Sequence, residues 1–231
     1  MSLSQPFAGL RPAPGRAAAV AAPPYDVMDA AEARAMVAGR PWSFLHISRP
    51  EVDLAPDTDP YAPAVYAQAR ANLDRMITEG ILVRDRTPRY CVYRLTMGSH
   101  LQTGLVAAAS VAAYDAGRIK RHELTRPVKE DDRVRQIDAL NAQTGPVFLV
   151  YRADPAIDSV LARASAGVPE VDLVADDGVR HTQWDATDPG DIDRLTAALA
   201  AHTALYIADG HHRAAGASRV AAARRAAHPA L

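Results

Sequence analysis

The chain has 231 residues, of which 48% are hydrophobic and 23% charged, and its 26 basic and 27 acidic side chains nearly cancel. This composition is typical of a globular protein and offers no basic surplus for nucleic acid. No stretch reaches the ~18 to 20 apolar residues of a membrane span. The single cysteine, Cys91, excludes an internal disulfide and fits a reducing compartment or a buried apolar position. We therefore expect a cytoplasmic protein with one domain over residues 1–231.

The amino-terminal part predicts an extended segment followed by a short helix. Residues 1–27 are rich in proline and are expected to run extended. Asp29 is a suitable N-cap for a helix over Ala30–Val37, which Gly39 would end. The apolar run "WSFLHIS", residues 42–48, predicts a buried strand.

A longer helix is predicted within residues 61–80. Apolar side chains recur there at helical spacing, and Gly80 can adopt the left-handed conformation that ends a helix. The apolar positions are Val65, Ala69, Leu73, Met76 and Ile77.

Alternating strands and helices follow, with two antiparallel hairpins. The segments "RYCVYRLTM" and "LQTGLVAAASV" are joined by "GSH", which has the length and composition of a hairpin turn, and "DDG" predicts a second one. The predicted helices lie near 130–142, 156–165 and 190–200, and the predicted strands are "PVFLVYR" and "ALYIA". Hairpins among interleaved helices indicate an α/β or α+β fold with a mixed sheet.

The segment "DAGRIKRHELTRPVKEDDRVRQ", residues 115–136, is dense in charge and has almost no apolar periodicity before Val134. Such a run is usually a solvated loop. His122 and Glu123 nevertheless follow a β-rich section, where a glutamate could serve as a general base. The residues alone leave both interpretations open.

The stretch "YIADGHHRAAGASR", residues 206–219, places polar chemistry between a short apolar strand and an alanine-rich helix. The first N–H groups of a helix have no internal partner and carry about half a positive charge, so they attract anions. Arg213 adds a fork for two phosphate oxygens, and His211 and His212 can donate hydrogen bonds. With Gly210 as the turn, these residues predict a phosphate or nucleotide site.

Asp209 would repel a bare phosphate, so its presence suggests Mg²⁺ between the carboxylate and the phosphate, or a role in placing a nucleophile. A helix cap with surface histidines is the simpler alternative for these residues taken singly. A zinc site is a further alternative, although adjacent histidines project in different directions and the cysteine is distant in sequence.

The run from Asp209 to Arg213, D-G-H-H-R, resembles the phosphate-binding signature of the ParB/sulfiredoxin superfamily and the motif of its free serine kinase family. In those kinases an aromatic residue, alanine and glycine follow, whereas here Ala214 replaces the aromatic residue. The H-E pair at His122 and Glu123 looks like the kinase pair that carries the catalytic base. The resemblance implies a ParB/sulfiredoxin-like core, with the candidate site region at residues 114–213, elaborated by inserted and amino-terminal elements.

The whole chain also resembles a bacterial family of unknown function that shares three marks in this order. These are "PPYDV" at Pro23–Val27, "HE" with Thr125 and "KEDDR" at Lys129–Arg133, and "DGHHR". Asp209 follows Glu123 by 86 positions. This is well beyond the spacing in the serine kinases that the chain resembles, so the resemblance implies an inserted subdomain between them. Because chains of that family continue beyond the D-G-H-H-R helix, we expect this one to be the amino-terminal part of a longer family chain.

The resemblance implies a kinase that uses ATP or ADP with Mg²⁺ to phosphorylate a small hydroxyl compound. Glu123 and Asp209 would be catalytic, Asp209 would also hold the metal, and residues 210–213 would bind the nucleotide. The alternative is a non-catalytic nucleotide- or phosphate-binding regulatory module, and a metal-dependent hydrolase is a third interpretation. We expect a small-molecule substrate and a nucleotide as partners, with no membrane and no nucleic acid; the oligomeric state is left open.

Overall fold

The computed structural model describes residues 2–228, which form an α+β fold. The helices of the described residues are α1 Ala17–Val20, α2 Ala30–Val37, α3 Leu45–Ser48, α4 Pro63–Thr78, α5 Val111–Asp115, α6 Pro127–Leu140, α7 Pro155–Ala164, α8 Pro189–Ala201 and α9 His211–Ala227. The strands are β1 Ser4–Gln5, β2 Leu10–Pro12, β3 Leu82–Arg84, β4 Tyr90–Met97, β5 His100–Val106, β6 Ala108–Ala109, β7 Ile119–Lys120, β8 Phe148–Val150, β9 Val171–Val174, β10 Arg180–Ala186 and β11 Leu205–Asp209. None of the helices between residues 2 and 228 is long and apolar enough to cross a membrane.

The described chain divides into two compact units. The first contains residues 2–17, 84–120 and 149–206. The second contains residues 18–83, 121–148 and 207–228. The prediction of one domain over residues 1–231 stays a prediction. Every residue of the candidate site belongs to the second unit.

The first unit is built on a four-stranded antiparallel sheet in the order β5-β4-β10-β9. Both predicted hairpins are confirmed: β4 pairs with β5 around a turn at Gly98, and β9 pairs with β10 around a turn at Gly178, both at positive φ. Helices α7 and α8 cover one face, where a core forms around Tyr90, Val92, Ile157, Val160, Trp184 and Leu195. A parallel pair of β7 with β11, Leu205 opposite Ile119, makes the strand pairing mixed.

Cys91 lies on the other face of this sheet, at the buried carboxylate of Asp185. Asp185 also accepts hydrogen bonds from Arg11 and Arg89. Burial, together with the Asp185 charge, raises the pKa of the Cys91 thiol to about 12. Cys91 is therefore a protonated thiol at neutral pH, and it is buried beside an ion-pair cluster instead of at the apolar position that the sequence suggested.

We expect Cys91 to resist thiol reagents in the native protein, because the thiolate is the reactive species and both its formation and reagent access are suppressed. An excess of a chromogenic disulfide reagent at pH 8 should leave the folded chain unmodified over an hour and label one thiol per chain in guanidinium chloride. Rapid labelling of the folded chain would show that the region around Asp185 is open.

The second unit is helical, and most of its elements match the sequence. Helix α2 begins as predicted at Asp29, whose side chain and that of Glu32 form a reciprocal capping box. Helix α4 buries Val65, Ala69, Leu73 and Met76, whereas Ile77 is exposed. Gly80 follows at positive φ. Both predicted helices are confirmed.

The predicted strand over residues 42–48 is wrong, because Leu45–Ser48 is a helical turn, α3. Two of its backbone carbonyls accept hydrogen bonds from side chains instead of from a neighbouring strand. Asn72 donates to the carbonyl of His46 at 2.7 Å, and Gln136 donates to that of Ile47 at 2.8 Å. A short apolar run in a sequence is compatible with a buried strand and with a buried helical turn. In the fold, the side-chain amides of Asn72 and Gln136 stabilise the helical turn.

Two further boundaries differ from the prediction. Residues 1–27 were expected to be extended throughout, but residues 17–20 form one helical turn, α1, after the short strands β1 and β2. Helix α6 begins at Pro127 instead of near residue 130, because proline is well suited to the first helical position. Residues 127–136 of the charged run are therefore helical, and residues 116–118 and 121–126 form loops on either side of β7.

Helices α4, α6 and α9 pack together in the second unit. At the contact of α6 with α9, a Cβ atom on Gly216 would lie 3.1 Å from the Cβ atom of Arg133 and 3.5 Å from the backbone nitrogen of Val134. The glycine thus lets the two helices approach closely. This contact places the first turn of α9 beside the loop that precedes α6.

Candidate functional site

The centre of the site is the start of α9. Strand β11 ends at Asp209, and Gly210 at φ 96° turns the chain into the helix. The first bond of the helical ladder runs from the N–H of Ala214 to the carbonyl of Gly210, 2.9 Å. The N–H groups of residues 211–213 precede that ladder and form the positive end of a 17-residue helix. This is the strand, turn and helix start that the sequence predicts.

Arg213 folds back over this first turn. One guanidinium nitrogen lies 2.6 Å from a carboxylate oxygen of Asp209, and another donates to the carbonyl of Pro146. Its side chain is 14% exposed, whereas that of Asp209 is 70% exposed. The sequence suggested an open fork for phosphate, but here the guanidinium is paired with protein atoms. An incoming phosphate must therefore compete with Asp209 for it.

Two glycines make room for the Arg213 side chain. A Cβ atom on Gly210 would lie 3.2 Å from the guanidinium carbon and 3.3 Å from Cα of Val147, and one on Gly145 would lie 3.0 Å from Cδ of Arg213. The segment 143–147 falls within the predicted site region of residues 114–213, but none of its residues was predicted as a site residue. Its Gly-Pro pair indicates a turn, but no sequence feature indicates that this turn holds an arginine.

We expect Gly210→Ala to destabilise the protein by about 2 to 3 kcal/mol, because it adds a backbone-limited clash to an unfavourable positive φ. Gly39→Ala is the matched control, since Gly39 has φ 72° but no atom within 4 Å of a new Cβ. That control should lose about 1 kcal/mol. Chemical unfolding of both variants gives the comparison, and equal losses would contradict the packing described around Gly210.

His211 is buried, with a side chain only 4% exposed. Its Nε2 atom accepts the backbone N–H of His122 at 3.5 Å, and its Nδ1 atom lies 3.5 Å from a carboxylate oxygen of Glu123. Because Nε2 accepts, the proton of the neutral ring lies on Nδ1, facing Glu123. The His122 ring packs edge-on against His211 with centroids 4.6 Å apart.

Burial and the neighbouring His122 lower the pKa of His211, against the opposing charges of Glu123 and Asp209. The neutral ring is therefore favoured at neutral pH. His211 thus brings no positive charge to an anion. Because His211 is the first residue of α9, its contact with Glu123 holds that carboxylate beside the start of the helix.

His212 contacts the far end of the same loop. Its Nε2 atom accepts the backbone N–H of Arg126 at 3.0 Å. Each histidine of the D-G-H-H-R run therefore uses one ring nitrogen as an acceptor for the loop of residues 121–126. Neither Nε2 atom is therefore left to donate a hydrogen bond to an anion.

The structure brings together all the predicted site residues. Glu123, 60% exposed, lies beside His211 although 86 positions separate it from Asp209. The roles of Glu123 and Asp209 as catalytic groups, and of residues 210–213 in nucleotide binding, stay predictions. The structure does not use Asp209 as the N-cap, because Gly210 occupies that position and makes no side-chain cap.

The sequence did not indicate the pairing of buried Arg133 with half-buried Tyr25. Arg133 lies with its guanidinium carbon 4.1 Å from the centre of the Tyr25 ring, and it pairs with Asp132, which also accepts the hydroxyl hydrogen of Tyr66. Burial raises the pKa of Tyr25, whereas the charges of Arg133 and Arg213 act to lower it. Tyr25 belongs to "PPYDV" and Arg133 to "KEDDR", so these family marks contact each other beside α9.

A metal centre built by protein side chains alone is not formed among residues 2–228, where no three His, Cys, Asp or Glu side chains are grouped to hold an ion. The zinc alternative therefore has no support from the described residues. Mg²⁺ differs, because it commonly takes one or two carboxylates together with substrate phosphates. The outward oxygen of Asp209 fits that requirement.

Fold and site together define an α+β protein with a polar site at the amino end of a late helix. The model of one family, described as "Protein of unknown function (DUF1015)", matches residues 5–230, and the chain belongs to this family. The prediction of a family of unknown function is confirmed. Searches of curated proteins and of solved structures found no match.

Proposed function

We propose that the chain is a nucleotide-dependent phosphotransferase related to the free serine kinase family of the ParB/sulfiredoxin superfamily, with ATP or ADP as donor and a small hydroxyl compound as acceptor. The observation that carries the proposal is the position of Glu123 beside the first turn of α9. A carboxylate, a helix amino end and an arginine are thereby assembled from distant parts of the sequence. The cytoplasm supplies both nucleotide and acceptor.

The nucleotide phosphates are proposed to bind the N–H groups of residues 211–213 and the Arg213 guanidinium. Phosphoryl transfer depends mainly on positioning and charge neutralisation, which these groups provide. Mg²⁺ would be held by Asp209 and the phosphates, and when bound it would neutralise charge on the phosphate oxygens.

Glu123 is proposed to act as the general base. The acceptor hydroxyl oxygen attacks the terminal phosphorus, the bond from that phosphorus to the leaving nucleotide oxygen breaks, and the hydroxyl proton passes to the Glu123 carboxylate. The products are a phosphate monoester and the shortened nucleotide. The Nδ1 atom of His211 lies 3.5 Å from the same carboxylate and keeps it beside the first turn of α9.

The alternative, a non-catalytic nucleotide-binding module, is favoured by one observation. The Arg213 guanidinium is paired with the Asp209 carboxylate and the Pro146 carbonyl. Binding of a phosphate would replace one of these partners, which is how a ligand can switch a regulatory module. Both functions require nucleotide binding at α9 and differ in whether phosphate is transferred.

One experiment separates the two. The chain is incubated with Mg²⁺ and ATP or ADP, with and without serine, and phosphorylated product and shortened nucleotide are quantified by ³¹P NMR. A thermal-shift panel of ATP, ADP, CTP and inorganic phosphate is run alongside; a ligand at 100 times its Kd should add about 2.7 kcal/mol of stability. Stabilisation with acceptor-dependent turnover supports the kinase, stabilisation alone supports the module, and no response to any phosphate compound contradicts both.

Asp209→Asn tests the role given to Asp209. Removing its charge frees Arg213 and removes repulsion, so without Mg²⁺ we expect inorganic phosphate to bind about tenfold more tightly. With Mg²⁺ and nucleotide, the variant should lose the additional affinity that the metal gives the unmodified chain. Titration calorimetry with and without Mg²⁺ measures both effects. Weaker phosphate binding by the variant without Mg²⁺ would show that Asp209 does not compete for Arg213.

A further inference from the structure

Among the contacts of the loop that carries Glu123, three are hydrogen bonds from the loop to side chains of α9 and α6. At its start, the N–H of His122 points to Nε2 of His211, and at its end the N–H of Arg126 is bound by Nε2 of His212. Between them the hydroxyl of Thr125 donates to a carboxylate oxygen of Glu130 at 2.6 Å. The loop has little apolar anchorage, because Leu124 is 90% exposed.

The middle contact also leads back to α9. The other carboxylate oxygen of Glu130 lies 3.0 Å from Arg219, which also binds Asp131 at 2.6 Å. Glu130 accepts hydrogen bonds from Thr125 and Arg219, which lower the pKa of its carboxyl group, so Glu130 stays charged at neutral pH. Side chains of α9 thus support the loop at both ends directly and in the middle through Glu130.

We propose that His212, together with the chain Thr125–Glu130–Arg219, positions the loop of residues 121–126 so that Glu123 is held at the phosphate end of α9. This rests on the proposed function and assigns His212 a role other than contact with phosphate. His212 and Thr125 are positioning residues, because they act through the loop backbone. One helix then provides the anion-binding end and fixes the base relative to it.

The chemistry of His212 provides a sharp test. An acceptor atom is what the N–H of Arg126 requires, and the Oε1 atom of glutamine can supply one at a similar distance from the backbone, whereas leucine cannot. His212→Leu should release the end of the loop, and His212→Gln should restore it. His228→Leu, which changes an exposed histidine at the other end of α9, is the matched control.

The first measurement is hydrogen exchange of the Arg126 amide by ¹⁵N NMR of the folded chain, which needs no ligand. Loss of one hydrogen bond should speed exchange about tenfold in His212→Leu. Exchange in His212→Gln and His228→Leu should stay within about twofold of the unmodified chain. Unchanged exchange in His212→Leu, or failure of glutamine to restore it, overturns the proposal.

The second measurement uses Thr125→Val, which removes the middle contact without touching α9. Because loose placement of a catalytic group slows chemistry more than it weakens binding, kcat for phosphate transfer should fall about tenfold or more while Kd for ADP stays within about twofold. If Thr125→Val lowers kcat and the affinity for ADP by the same factor, the positioning role is overturned. If the unmodified chain transfers no phosphate, the kinase proposal fails, and the Arg126 exchange data alone still decide whether His212 holds the loop.

Discussion

Arg213→Ala is expected to weaken ADP binding by about 100-fold and to reduce any phosphate transfer by about 10³-fold or more. Two charge-assisted hydrogen bonds to phosphate oxygens contribute about 3 kcal/mol together, which corresponds to about 100-fold in Kd. An arginine at a transferring phosphoryl group contributes still more to the rate. Titration calorimetry and ³¹P NMR give the two quantities.

The controls for this prediction are Arg224→Ala and Arg213→Lys. Arg224 lies in the last turn of the same helix, half-exposed and paired with Asn141, so its loss should leave ADP binding unchanged. Lysine keeps the charge of Arg213 without the planar fork, and should recover about a tenth of the lost affinity at most. Unaltered ADP binding in Arg213→Ala would remove the arginine from the proposed site.

Glu123→Gln is expected to reduce phosphate transfer by about 10² to 10⁴-fold and to leave ADP binding within about threefold, because the amide cannot take the hydroxyl proton. Its stability should change little, since an exposed side chain loses only a 3.5 Å contact with His211. Rapid-quench assays at saturating nucleotide separate transfer from binding.

Glu79→Gln, an exposed glutamate at the end of α4 in the same unit, is the matched control and should behave as the unmodified chain. Transfer at an undiminished rate in Glu123→Gln would exclude this residue as the base. Loss of ADP binding by the same variant would instead assign Glu123 to nucleotide binding.

The sequence predicted the start of α9 well because every signal there is local. A short apolar strand, a glycine that can take φ 96° and an alanine-rich helix specify their conformations within a few residues of one another. The hairpins around Gly98 and Gly178 were predictable for the same reason. Helix capping at Asp29 likewise depends only on adjacent residues.

What the sequence could not predict depends on contacts between distant residues. The apolar run at Leu45 became a helical turn because Asn72 and Gln136 satisfy its carbonyls. The role of the histidine rings as acceptors depends on where the loop of residues 121–126 passes, which composition does not reveal. The pairing of Arg213 with Pro146 likewise requires knowledge of the fold.

The contacts among the three family motifs beside α9 show a second limit of prediction from sequence. The residues of "PPYDV", "KEDDR" and "DGHHR" were recognised as a pattern, but their chemistry was assigned only for the last of these. In the fold, Tyr25 lies on Arg133, and Arg133 packs against Gly216 of α9. The close contact of α6 with α9 at Gly216 therefore brings these separate segments next to one another.

Titration of ¹⁵N-labelled protein with ADP and Mg²⁺ tests most directly whether phosphate binds at the amino end of α9. The backbone amide signals of residues 211–213 should show the largest shifts, moving downfield as their N–H groups bind phosphate oxygens, and Arg213→Ala should suppress these shifts. Saturable binding that leaves these three amides unmoved, or the absence of any shift up to millimolar ADP, would contradict the account.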